Sequence, residues 1–139
     1  MAEMRVLIEG SFNPATGVTS PTVPVSGIIT ISPTAPTVVT SLSAATAISN
    51  GAQYDLGYLS RDYTFVGTSS ATLTAGTVQL QGSIDGTTFV PIGTDIALAT
   101  DFTAATSKAY TGSVDYRYFR ASITVTVTGG NITFKILAA

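Results

Sequence analysis

The stretch FRASITVTVTGGNITFKIL, residues 119–137, decides the fold class. Phe119, Ala121, Ile123, Val125 and Val127 fall on one side of an extended chain, with Ser122, Thr124, Thr126 and Thr128 on the other. Ile132, Phe134 and Ile136 repeat the alternation after Gly129-Gly130. A period of two is the signature of a strand with one buried face. Val, Ile and Thr favour it further, because their branched side chains lose rotamer freedom in a helix and pack well on a pleated surface. Gly-Gly tolerates the positive φ of a tight two-residue turn, so these two strands are expected to pair as a hairpin.

The same pattern extends upstream. In VQLQGSIDGTTFVPIG, residues 78–93, Val78, Leu80 and Ile84 share one face and Gln79, Gln81 and Ser83 the other. Asp85-Gly86 reads as a second tight turn leading into a strand over Thr87–Ile92, and Asn50-Gly51 as a further turn. No window of about 12 residues keeps the i, i+3, i+4, i+7 apolar spacing of a helix. Short strands separated by Gly and Asp turns predict an all-β protein and are the signal of a β-sandwich or barrel.

The beginning of the chain differs in character. SFNPATGVTSPTVPVSGIITISPTAPTVVTSL, residues 11–42, carries Pro14, Pro21, Pro24, Pro33 and Pro36, whereas the rest of the chain has only Pro91. Proline removes a ladder donor and is confined to edges or extended segments. Residues 1–45 are therefore expected to form an extended arm, with short edge strands around Val6–Ile8 and Ile28–Ile31, and residues 46–139 the sandwich domain. Three readings of the arm stand side by side: edge strands folded back on the domain, an arm laid on a neighbouring subunit, or a glycosylated Thr/Pro-rich stalk.

Composition narrows the function. Of 139 residues only 10% are charged, the net charge is -2, and the mean hydropathy is +0.40. No apolar run approaches the about 20 residues of a spanning helix, and no secretion signal or membrane partner is expected. So little charge leaves uncharged surface of the kind that marks association, and a self-assembling chain is expected. Arg5, Arg61, Lys108, Arg117, Arg120 and Lys135 are scattered, so no nucleic-acid partner is expected. Without cysteine there is neither a disulfide framework nor a thiolate metal site.

The chain has no histidine, the usual recruit for acid–base work. The acidic residues form no evident pair, and Asp85 is explained by its turn. There is no G-x-S-x-G elbow and no Gly-rich phosphate loop. Asp95 and Asp101 lie in one loop-like stretch but lack calcium-loop spacing, and read as solvated loop aspartates. No catalytic residue, cofactor or metal is expected. The distinctive segment is DYRYFRAS, residues 115–122. With Phe119 pointing inward, Tyr116, Tyr118 and Arg120 project from the opposite face. Such a stripe suits a protein interface or a sugar ring, unless it packs beneath a loop.

A hairpin of the form S-x-D-G-x-x-F (Ser83, Asp85, Gly86, Phe89), followed on a later strand by R-Y-F-R (Arg117, Tyr118, Phe119, Arg120), resembles the discoidin-type jelly roll. Together with the alternating tail ITVTVTGGNITFKIL, it also resembles small virion proteins of tailed bacteriophages, over roughly residues 36–139. The chain departs from secreted discoidin domains in lacking cysteine, tryptophan and a signal peptide. What the resemblance implies is a capsid decoration, or cement, protein: a compact homotrimer on the major capsid protein of a phage head, made in the host bacterial cytoplasm and ending on the capsid surface. The other readings are a tail, baseplate or head-fibre component, or a carbohydrate-binding adhesion module.

Overall fold

The computed structural model describes residues 12–14, 17–19 and 37–138. The chain divides into two units, Met1–Thr34 and Ala35–Ala139. In the first, β1 (Phe12–Pro14) and β2 (Gly17–Thr19) pair antiparallel, with Asn13 opposite Val18. The strands expected at Val6–Ile8 and Ile28–Ile31 lie outside the described residues.

The second unit is an all-β sandwich made from one curled antiparallel sheet. Its strands are β3 (Val39–Ala45), β4 (Ser49–Asn50), β5 (Tyr54–Ser69), β6 (Ala75–Ser83), β7 (Val90–Pro91), β8 (Ile96–Ala97), β9 (Ser107–Thr128) and β10 (Ile132–Ala138). A single helical turn, α1 (Leu98–Asp101), follows β8. The order across the sheet is β3-β10-β5-β9-β6-β7, with β4 also on β9 and β8 also on β6. β9 makes the sandwich possible. Its first part ladders with β5, from Ser107 opposite Thr68 to Ser113 opposite Asp62 and, past two register shifts, on to Phe119 opposite Tyr54. Its last part ladders with β6, from Tyr118 opposite Ser83 to Thr128 opposite Ala75. One strand thus serves both halves, and the sheet curls around the side chains between them.

Those side chains largely match the periodicity. Phe119, Ala121, Ile123, Val127, Ile132, Phe134, Ile136, Val78 and Leu80 are all buried. Two residues depart from it. Val125 is 50% exposed, because β9 bulges against β6 on either side of it: Ile123 faces Val78, Val125 faces Thr77 and Thr128 faces Ala75. An extra residue in a ladder breaks the in–out alternation. Ile84 is 67% exposed, and Ser83 is buried in its stead. β6 ends at Ser83, whose hydroxyl accepts from the amides of Asp85 and Gly86 and draws the chain off the pleat.

The turns also differ from expectation. β10 pairs with β3 and β5 and not with β9, so Gly129-Gly130 is a crossing between the two layers rather than a hairpin. The crossing is pinned by the Thr74 amide on the Thr128 carbonyl (2.8 Å) and the Ser70 amide on the Asn131 carbonyl (3.1 Å). Asn50-Gly51 does not reverse the chain either. β4 and the start of β5 run the same way along β9, with Ser49 opposite Ile123 and Tyr54 opposite Phe119. Gly51 is the point where the strand passes so close to Ser41 and Ala121 that a side chain would not fit. The Asp85-Gly86 turn is a wider loop, since the first pair beyond it is Gly82 opposite Val90.

β3 falls within residues 1–45, the segment expected as the arm, and lies at the edge of the sheet beside β10. Leu42 pairs with Phe134 and is buried. β5 has no counterpart in the sequence reading, although it carries the buried Phe65. Leu98 of α1, with Leu73 and Phe102 from connections, also belongs to the core.

Candidate interaction surface

The DYRYFRAS segment and the Asp85-Gly86 loop meet on the outer side of β6 and β9. In register, Ser83 stands opposite Tyr118 and Gln81 opposite Arg120. The loop is built by its own polar groups. Asp85 Oδ1 accepts from the amides of Thr87 and Thr88 and from the Ser83 hydroxyl, each at 2.8 Å. Gly86 turns at φ +77 and lies under the Tyr118 ring, where a Cβ would stand 3.0 Å from Tyr118 Cζ.

These donors, the Thr88 and Thr87 amides foremost, lower the Asp85 carboxyl from the ordinary 3.8 to about 2. A depressed carboxylate pKa contributes order that is complete above the ordinary value and lost as pH falls through the folded one. The loop is therefore expected to hold its form from neutral pH to below 3.8 and to open as pH passes about 2. Amide exchange at Thr87 and Thr88 checks this: protection lost well above pH 4, or Asp85→Asn exchanging like the wild type at pH 6, would contradict it.

The expected stripe of Tyr116, Tyr118 and Arg120 is split. The inward side of β9 passes from Tyr110, Gly112, Val114 and Tyr116 to Phe119, Ala121 and Ile123, changing parity between Tyr116 and Phe119. Tyr116 consequently packs against the core, edge-on to Phe119 with ring centroids 6.5 Å apart, in space left by the missing side chain of Gly82. Tyr118 and Arg120 remain outside.

Around Tyr118, Arg117 holds Asp55 through two bonds, Nε to Oδ1 at 2.7 Å and a terminal nitrogen to Oδ2 at 3.1 Å. Its guanidinium lies 5.0 Å from the Tyr118 ring centroid. The bond from Arg117, and then that from the Gly57 amide, hold the Asp55 carboxyl below its usual range. The Arg120 guanidinium carbon lies over Phe89, 3.8 Å from the ring centroid, a cation–π contact that joins strand and loop. It donates to Gln81 Oε1 (2.7 Å), Gln81 donates to Gln79 Oε1 (2.7 Å), and Gln79 donates to Asp95 Oδ1 (3.0 Å). Burial lowers the Arg120 pKa somewhat. Among the described residues no carboxylate pairs with Arg120.

Asp95 and Asp101 do not converge on one point. Asp95 takes the Gln79 amide, whereas Asp101 takes Lys108 Nζ at 2.8 Å and the Tyr110 hydroxyl at 2.7 Å. Lys108 lowers the Asp101 carboxyl, and burial, then Asp101 itself, raises the Tyr110 phenol. Among the described residues no group of three or more metal-ligating side chains comes together, and no helix is long and apolar enough to cross a membrane. Phe89, Gln79 and Gln81 join this surface beyond the expected stripe. The sequence signals for them were the S-x-D-G-x-x-F motif that contains Phe89 and the alternation that put both glutamines on the polar face of β6.

No protein-family model matches the chain, and no curated protein matches it. Among solved structures, the SPBc2 prophage-derived protein YomS is similar at 20% identity over 81% of this chain and 100% of that one, with a TM-score of 0.47.

Proposed function

We propose that this chain is a structural virion protein of a tailed bacteriophage, a capsid decoration (cement) protein that binds the outer surface of the head and stabilises it. The observation that carries the reading is the joining of the two halves of the S-x-D-G-x-x-F and R-Y-F-R pattern. Phe89 lies under Arg120 and Gly86 under Tyr118, so the outward-facing residues of the two motifs form one surface. Its side chains are tied down before any partner arrives, which reduces the ordering cost of association. Tyr and Arg are also the residues that dominate binding energy at interfaces. In this reading the major capsid protein is the partner, and the chain acts as a homotrimer, whose three copies multiply weak individual contacts.

Cryo-electron microscopy of particles assembled with and without the protein tests the role. Density on the head is expected. Density confined to the tail, baseplate or a head fibre would replace decoration with that alternative. Arg120→Ala is expected to weaken retention on particles at least about tenfold, the loss of one interface hot spot. Its melting temperature should stay near that of the wild type. Sedimentation equilibrium checks the trimer, and a monomer at micromolar concentration would remove the multivalent part of the proposal.

A further inference from the structure

At one side of the sandwich a cleft of about 430 Å³ opens between the β5–β9 ladder and the segment running from β7 through α1. That size falls within the range of small-ligand sites. Its lining includes the apolar Leu80 and Ile92, the aromatic Tyr63, and the polar residues Thr94, Asp95 and Thr111. Tyr63 is fixed from behind, stacked on Phe119 at 6.0 Å and edge-on to Phe65 at 5.7 Å.

We propose that this cleft binds a neutral saccharide, with Tyr63 and Asp95 as its principal contacts. Three features of the cleft point to that chemistry. The first is Tyr63, a half-buried residue whose hydroxyl lies against Gly112 and makes no hydrogen bond among the described residues, although such groups ordinarily find a partner. The second is charge. The charged groups lining the cleft are Asp95 and Asp101, both acidic, so an anion is repelled. Asp101 is already engaged by Lys108 and Tyr110, whereas Asp95 has spent only Oδ1, on Gln79, and keeps Oδ2 for a ligand hydroxyl. The third is the mixture of surfaces. A pyranose presents an apolar C–H face and a rim of hydroxyl donors, which matches a lining that combines an aromatic ring and aliphatic side chains with polar residues. The Gln79 bond to Asp95 and the ring packing of Tyr63 set both contacts in place in advance.

This inference does not depend on the decoration reading, because neither Tyr118 nor Arg120 lines the cleft and it is tested on the free protein. The intact chain is titrated with methyl glycosides of glucose, galactose, mannose and N-acetylglucosamine, followed by amide shifts of Tyr63, Asp95 and Thr111. At least one glycoside is expected to saturate with a Kd of about 1 mM or tighter. Tyr63→Phe, which keeps the ring packing, and Asp95→Asn, which keeps an acceptor for Gln79, should each weaken it at least about fivefold, in line with the loss of one hydrogen bond. Lys135→Ala, on β10 and outside the cleft, should leave it unchanged. Failure of every glycoside to saturate would overturn the proposal. So would equal binding by wild type and both variants, or saturation by calcium or methylammonium in place of the glycosides.

Discussion

Phe119→Ala is expected to destabilise the fold by about 3–5 kcal/mol, a large share of the roughly 5–15 kcal/mol that separates a typical domain from its unfolded chain. Phe119 is fully buried where β9 passes from its pairing with β5 to its pairing with β6. Its ring meets Tyr63 (6.0 Å), Phe65 (6.5 Å) and Tyr116 (6.5 Å). These neighbours come from β5 and from β9 itself, so they are held by separate ladder segments and cannot all move in to fill the vacated space. The deletion should therefore carry both the lost transfer energy and a residual cavity. Urea unfolding followed by far-ultraviolet circular dichroism checks it. A loss below about 1 kcal/mol would fall outside the range for a buried aromatic ring and would mean that Phe119 is not the hub of the two halves.

Gly129→Ala is expected to rank next, at about 2–4 kcal/mol, from adding left-handed strain to overpacking. Gly129 turns at φ +95, and a Cβ there would stand 2.8 Å from the Thr74 amide nitrogen and 3.2 Å from Leu73 Cα. Those are backbone atoms, and the Thr74 amide is committed to the Thr128 carbonyl, so no flexible side chain can yield. The neighbouring Gly130 has no positive φ, and its nearest contact is the Ser70 hydroxyl oxygen at 2.8 Å. Gly130→Ala should therefore be milder. Equal losses from the two substitutions would contradict the assignment of the crossing to Gly129.

The period-two alternation at 119–127 and 132–136 needed only the covalent chain to be read, because side chains on an extended backbone must alternate and the apolar ones must find cover. All-β class, a sandwich, and burial of Phe119, Ile123, Phe134 and Ile136 follow from that alone. So does the polar, turn-building role of Asp85, since its short carboxylate can reach only local amides. What the alternation does not contain is the pairing. Gly129-Gly130 suits a hairpin and a crossing equally well. The crossing wins because the far edge of β10 is covered by β3 and its near edge by β5, in contacts distant along the chain.

The same limit applied to the surface. Strict parity put Tyr116 beside Tyr118 and Arg120. The change of parity in β9, where one strand passes from β5 to β6, turned Tyr116 into the core beside Gly82 and left the other two outside. No local signal marks that passage, because a bulge is set by the ladder on the neighbouring strand and not by the residues that bulge. The meeting of Phe89 with Arg120, and of Tyr63 with Asp95 across the cleft, likewise depended on which strands lie side by side. The sequence alone determined the strand character and most of the residues that face inward. Which strands pair, and therefore which side chains share a surface, was decided only when the sheet closed on itself, because that closure is a property of long-range packing.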